Sequence, residues 1–146
     1  MHVRDLLGRK RSQLVTVEST APLKHAVRLF IEHSIGGLPV VDKGGALVGF
    51  VAERDVVTAL HEHPAVHDLP VETVMRPAPI CQADQPIEEA MREMTSKRHR
   101  HLLVKDGDEI LGVISVGDIV KYRLEQLETE AGVLRDYVAA QRASRH

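Results

Sequence analysis

The sequence predicts an α+β fold: two β-α-β-β-α repeats packed with pseudo-twofold symmetry, followed by a long C-terminal helix. Three observations carry this. First, Gly49-Phe50-Val51-Ala52-Glu53-Arg54-Asp55-Val56-Val57 returns as Gly112-Val113-Ile114-Ser115-Val116-Gly117-Asp118-Ile119-Val120. Each copy reads as a short apolar strand that breaks at a polar turn and opens a helix with an aspartate in its first turn. Second, the register holds beyond that stretch. Pro22 and Pro86, Ala26 and Ala90, and Leu38 and Leu102 stand 64 residues apart, and Gly49/Gly112 and Asp55/Asp118 stand 63 apart. The offset changes by one inside the hairpin turn, where a length change is best tolerated. Third, residues 117–142 hold no proline and one interior glycine, Gly132, and carry Val120, Leu124, Leu127, Ala131, Leu134 and Val138 at alternating spacings of four and three. That is the period of a heptad seam.

In chain order, residues 2–7 form a short apolar-polar element and Gly8-Arg9-Lys10-Arg11-Ser12 a basic loop. Leu14–Val17 is β-prone. Ser19, Thr20 and Pro22 give start signals for a helix whose Leu23, Ala26, Val27, Phe30 and Ile31 share one apolar face. The helix stops before Gly36-Gly37. Leu38–Val41 is a buried strand, Asp42-Lys43-Gly44-Gly45 a hairpin turn and Ala46–Val51 the returning strand. A helix from about Glu53 to Leu60 closes the unit, and His61–Pro70 is a polar connection. The order then begins again. Val71–Met75 echoes Val3–Leu7, Ile80–Gln82 is the short strand, and Pro86 opens a helix carrying Ile87, Ala90, Met91 and Met94. His101–Val104 and Ile110–Ser115 are the hairpin strands around Asp106-Gly107-Asp108. A unit of about sixty residues is marginal alone, and two packed sheet to sheet would bury both apolar faces.

Composition narrows the function classes. The 146-residue chain is 43% apolar and 27% charged, with 3% aromatics and no tryptophan, so its core must be aliphatic. A formal net charge of −2 supplies no global field for nucleic acid or an anionic membrane. No apolar run approaches the eighteen residues of a membrane span, and no signal peptide is recognisable. The single cysteine, Cys81, has no intrachain partner. The chain therefore reads as a soluble cytoplasmic protein. No nucleophile elbow, Walker loop, dinucleotide fingerprint or candidate triad appears, so it reads as a non-enzyme.

With the repeats laid out, the chain resembles a tandem CBS (cystathionine-β-synthase) domain pair, or Bateman module. The resemblance covers about residues 2–122 and rests on Gly37-Leu38-Pro39-Val40-Val41-Asp42 before the first turn, Gly112-Val113-Ile114-Ser115 before Asp118, and above all on two ordered copies of the whole set. Lys121–Glu128 is similar to the tail of stand-alone bacterial CBS-pair proteins. Repeat 1 would span 1–61, a linker 62–70, repeat 2 71–122, and a helical extension 123–146. The resemblance implies a regulatory module that binds an adenosine-containing ligand between the repeats and signals to a partner protein through a conformational shift. AMP, ADP or ATP lead the ligands, with S-adenosylmethionine and NAD(H) behind them. It also implies disc-like homodimers.

On that resemblance, the aspartate of the repeated motif accepts both ribose hydroxyls, a task suited to a carboxylate's two oxygens at a helix N-terminus. Asp118 would be the better site, with Ser115 and Gly117 beside it and Val113, Leu14, Val15, Ile35 and Gly36 as walls. Asp55 would be weaker, because Ala52 replaces the serine and its hydroxyl is lost, although Arg54, standing where Gly117 does, could compensate as a phosphate contact. Its walls would be Phe50, Pro79, Ile80, His99 and Arg100. Ser115-x-x-Asp118 is equally a capping-box pattern that satisfies helix N–H groups without any ligand. In the basic run Lys97-Arg98-His99-Arg100-His101, Arg100 and His101 are candidate phosphate contacts, although cations there would also complement a solvated helix end. Lys10 would approach phosphate from the N-terminal segment.

The remaining clusters read as surface. His61, His63 and His67 lack the ligand spacing of a zinc site, and Arg9-Lys10-Arg11 lacks flanking aromatics for stacking on nucleic acid. A C-terminal helix of about 26 residues would be roughly 39 Å long. Its apolar stripe could lie across its own domain, but the surplus length favours homodimerisation. The competing function is a ligand-independent dimerisation or interaction scaffold, and the regulated protein is unknown.

Overall fold

The three-dimensional structure is a computed structural model that describes residues 1–10 and 13–144. The first repeat runs α1 (Val3–Lys10), β1 (Val17–Glu18), α2 (Leu23–His33), β2 (Gly37–Val41), β3 (Leu47–Ala52) and α3 (Glu53–Glu62). The second runs β4 (Ile80–Gln82), α4 (Ile87–Lys97), β5 (His101–Asp106), β6 (Glu109–Ser115) and α5 (Val116–Ser144), and single 3₁₀ turns at Val66–Asp68 and Val71–Thr73 lie between the two. Each repeat builds a three-stranded sheet, ordered β1-β2-β3 and β4-β5-β6, with the first strand pair parallel and the second antiparallel. The internal repeat holds at the level of strand register. Val17 pairs Val40 as Cys81 pairs Val104, and Leu38 pairs Val51 as Leu102 pairs Ile114. Both hairpins slip register at the same place, between Val40 and Val41 and between Val104 and Lys105.

The helices bury narrower stripes than the pattern predicts. α2 covers its sheet with Leu23, Ala26 and Phe30, and α4 with Ile87, Ala90 and Met94. Ile31 does not share that face and is 74% exposed. It lies one residue, about 100°, around the helix from Phe30, beyond the sheet's edge. Both helices end in a left-handed residue, Ser34 (φ 52°) and Arg98 (φ 54°), which turns the chain into the next strand. The basic stretch expected as a loop is helical as far as Lys10, because Val3 and Leu6 anchor α1 in the core of the second repeat. The first strand is also shorter and later than its β-prone run: Leu14 is exposed and Val15 packs on the first repeat's core outside any ladder. The polar connection after α3 supplies the fully buried Val66 to that same core.

The two repeats exchange their opening segments. The Val3 N–H donates to Gln85 O (2.9 Å) and the Arg4 N–H to Ala83 O (2.9 Å) in the second repeat. Reciprocally, the Val71 N–H donates to Ala21 O (2.8 Å) and the Glu72 N–H to Ser19 O (3.0 Å) in the first. The repeated glycines explain how the exchanged segments seat. A Cβ on Gly112 would stand 3.0 Å from Leu7 Cδ2, and one on Gly49 would stand 2.7 Å from Met75 Sδ and 3.1 Å from the Arg76 carbonyl oxygen. Between the two cores, Phe50 and Ala52 of β3 meet Leu103 of β5 in a third apolar cluster.

Gly49→Ala therefore forces backbone as well as side chain to move and is expected to lower unfolding free energy by roughly 1–3 kcal/mol in urea titrations. Gly132→Ala, which meets nothing within 4 Å on α5, is expected to raise helix stability by about 0.5–1 kcal/mol. An unchanged midpoint for Gly49→Ala would contradict the exchanged packing.

Candidate functional site

Both repeated aspartates cap the helices they open. The Ala52 N–H donates to Asp55 Oδ2 (2.8 Å), and the Ser115 N–H donates to Asp118 Oδ2 (2.8 Å). In the second copy the box closes, with the Asp118 N–H donating to Ser115 Oγ (3.2 Å). The first copy has no hydroxyl to return that bond. A guanidinium is there instead: Arg76 Nε donates to Asp55 Oδ2 at 3.1 Å. The Asp55 carboxylate thus already holds a cation from the segment leading into the second repeat.

A cationic cleft lies on the seam. Gly36, Ala52, Glu53, Arg54, Val57, Arg76, Arg98, Arg100 and His101 enclose about 640 Å³. The turns that form it are tied to helix starts in pseudo-equivalent fashion. The Glu53 N–H donates to Gly36 O (3.0 Å), and the Val116 N–H donates to Arg100 O (3.0 Å). The second bond sets the Ser115–Asp118 turn directly behind Arg100. His101 packs over Gly36 and Gly37, where a Cβ would meet its ring at 3.3 and 3.2 Å, and its ring centroid lies 5.8 Å from that of Phe50. Four guanidinium-bearing chains line the cleft with Glu53, and although Arg76 is already on the Asp55 carboxylate, Arg54, Arg98 and Arg100 leave it the chemistry of an anion site, with planar forks suited to phosphate oxygens.

The structure thus brings Gly36, Arg54, Arg100 and His101 together, whereas Ser115, Gly117 and Asp118 line no part of that cleft and are tied to it only through the Val116–Arg100 backbone bond. Asp118 itself lines a separate hollow of about 270 Å³ with Leu6, Arg9, Lys121, Tyr122 and Glu125. There Arg9 pairs with Glu125 (3.3 Å) and lies over the Tyr122 ring at 5.9 Å. Asp55 lines another hollow, with Thr58, Ala59, Glu62, His63, Val66, Thr73 and Val74. Leu14 and Ile80, assigned to opposite sites from the sequence, fall in one groove with Thr16, Val41, Leu47, Lys105 and Ile110. Val15 and Ile35 pack on the first repeat's core and Val113 on the central cluster, each partly buried. Pro79 is buried, its carbonyl accepting the Leu103 N–H (2.7 Å). Phe50 is 0% exposed and offers a ligand no surface. Its backbone instead pairs with Arg76 in both directions (2.8 and 3.0 Å). His99 is partly buried, and its Nδ1 has no protein partner among the described residues. The side chain of Lys10 lies outside the described residues.

Arg76 and Arg98 were not singled out from the sequence. Arg98 was one member of a basic run, and only its left-handed backbone turns it into the cleft wall. Arg76 carries no local signal, since its placement depends on the pairing with Phe50. Among the described residues no group of three His, Cys, Asp or Glu could hold a metal ion, and no helix is long and apolar enough to cross a membrane. The Cys81 thiol is no nucleophile: burial, with Glu93 adding to it, pushes its pKa up to about 12, so it stays protonated at neutral pH.

Two exchanged repeats with a cationic cleft on their pseudo-twofold seam define a tandem-repeat α+β module. The CBS domain family matches residues 3–62 and 71–125, and the chain belongs to that family. An uncharacterized 33.4 kDa protein in the ribosomal RNA operon of Thermofilum pendens is 30% identical over 109 residues, 73% of this chain and 35% of its own length. The crystal structure of the CBS-domain containing protein ATU1752 from Agrobacterium tumefaciens matches with a TM-score of 0.78 at 34% identity, covering 84% of this chain and 92% of that one. The crystal structure of CBSX2 in complex with AMP matches with a TM-score of 0.71 at 25% identity, covering 85% and 96%. The chain spans less than half the length of several curated relatives it matches.

Capping alone gives a measurable expectation. Without any ligand, Asp55→Ala and Asp118→Ala should each cost about 0.3–1 kcal/mol in urea titrations, and Asp118→Asn, which keeps an acceptor for the Ser115 N–H, should recover part of it.

Proposed function

We propose that the protein is a regulatory sensor, in which an adenosine-containing ligand binds at the seam between the repeats and biases their relative arrangement. The observation that carries the reading is the arginine-lined cleft on the seam, which favours the phosphates of AMP, ADP and ATP over S-adenosylmethionine, a sulfonium without phosphate. Phosphates would lie against Arg54, Arg98, Arg100 and His101, and the ribose hydroxyls on Asp118, whose carboxylate offers about four acceptor positions. The similarity to CBSX2, solved with AMP, supports the ligand class. Residues 1–61 and 71–122 act as the paired repeats, joined by 62–70, and 123–146 as a helical extension of a homodimer. The reading is of a cytoplasmic, non-catalytic module that passes a population shift to a partner protein, which needs only unequal ligand affinity for two arrangements.

A second reading, a ligand-independent scaffold, draws on one observation: Arg76 already sits on the Asp55 carboxylate. The two readings separate in a thermal-shift panel of AMP, ATP, NADH and S-adenosylmethionine. Ligand at a hundred times its dissociation constant should add about 2.7 kcal/mol of stability. Asp118→Asn, which keeps the helix cap, should lose most of that shift, whereas Asp55→Asn should reduce it only in part. Flat responses to all four ligands at millimolar concentration would leave the scaffold.

A further inference from the structure

The long C-terminal helix is more than its own body needs. Its first two turns are held by buried Ile119 and Tyr122 and by the Arg9–Glu125 ion pair. The rest, from Arg123 to Ser144, is almost entirely exposed. Apart from its docked first turns this stretch, interrupted by Gly132, draws nothing from tertiary packing, which supplies most helical stability in proteins. Such a helix calls for a partner.

Its surface is patterned for one. Val120, Leu124, Leu127, Leu134 and Val138 are between 40% and 62% exposed, and with the exposed Ala131 they form one continuous seam. Ile119, Tyr122 and Glu125 face the body, so the seam points away from it and is accessible along its length. The flanks alternate in sign. Arg123 and Glu130 stand on one side of the seam, and Lys121, Glu128, Arg135 and Arg142 on the other. A surface with both signs interleaved at heptad spacing complements itself: in a parallel pair, Arg123 meets the second chain's Glu128 and Glu130 meets its Arg135. No single-sign partner is matched by such an edge.

We propose that the partner of this face is a second copy of the chain, the two α5 helices forming a two-stranded coiled coil apart from the ligand-binding body. The inference rests on the homodimer reading above and adds to it where the chains join. The full-length protein in analytical ultracentrifugation tests it. Leu124→Asp and Leu127→Asp should each give monomers that keep the wild-type far-ultraviolet spectrum of the body. Val133→Asp, equally apolar and 64% exposed but off the seam, should leave the dimer intact. Glu130→Arg should weaken the dimer about tenfold, and adding Arg135→Glu (parallel strands) or Arg123→Glu (antiparallel) should restore it. If Leu124→Asp and Leu127→Asp remain dimeric with wild-type affinity, the coiled coil is wrong and the homodimer forms through the body. If the wild type is monomeric at all concentrations, both readings fall.

Discussion

Everything in this molecule depends on the reciprocal exchange of opening segments between the repeats. A three-stranded sheet under two short helices buries too little to stand alone. Here the strand edges at Ser19–Ala21 and Ala83–Gln85 accept backbone N–H groups from the other repeat, so neither half completes its hydrogen bonding without its partner. The same exchange brings Met75 down onto Gly49 and Leu7 onto Gly112, which accounts for a glycine in the middle of each third strand. It also carries Arg76 across to β3. The pairing that holds the fold together therefore delivers a cation to the seam.

The seam inherits its asymmetry from the sequence differences between the copies. Where the second repeat has Ser115 and Gly117, a closed capping box forms and the helix start is bonded to the Arg100 carbonyl. Where the first has Ala52 and Arg54, the box stays half-made and Arg76 takes the carboxylate. Capping and ribose binding do not compete in principle, since a carboxylate has acceptor capacity beyond the backbone N–H it holds. Both roles also want the same thing, an anion at a helix N-terminus. The left-handed Arg98 shows the same economy. A residue other than glycine in that conformation carries a penalty of roughly 1–2 kcal/mol, yet the turn it makes ends α4, starts β5 and adds one more guanidinium to the cleft.

Much of this is legible in the sequence. Repeats at a constant offset reveal themselves because equivalent positions face equivalent demands: Leu38 and Leu102 fill the same place in two cores, and Pro22 and Pro86 start the same helix. Asp55 and Asp118 were legible as helix-opening carboxylates for the same reason. What stayed hidden is what tertiary pairing alone decides. Nothing local distinguishes Gly8-Arg9-Lys10 as a helix continuation, since its stability comes from Val3 and Leu6 docking on the other repeat. Phe50 reads as a cleft wall by position but is sealed between the sheets, and Leu14 and Ile80 share a groove only because tertiary packing brings their two segments together. Arg76 has no signature at all apart from the partner it meets.

The most direct measurement is a crystal structure of the protein grown with ATP or AMP. The account predicts nucleotide density at the repeat seam, its ribose hydroxyls on the Asp118 carboxylate and its phosphates against Arg98 and Arg100. Density lodged elsewhere, or a seam that stays closed on the protein's own side chains at saturating nucleotide, would contradict it.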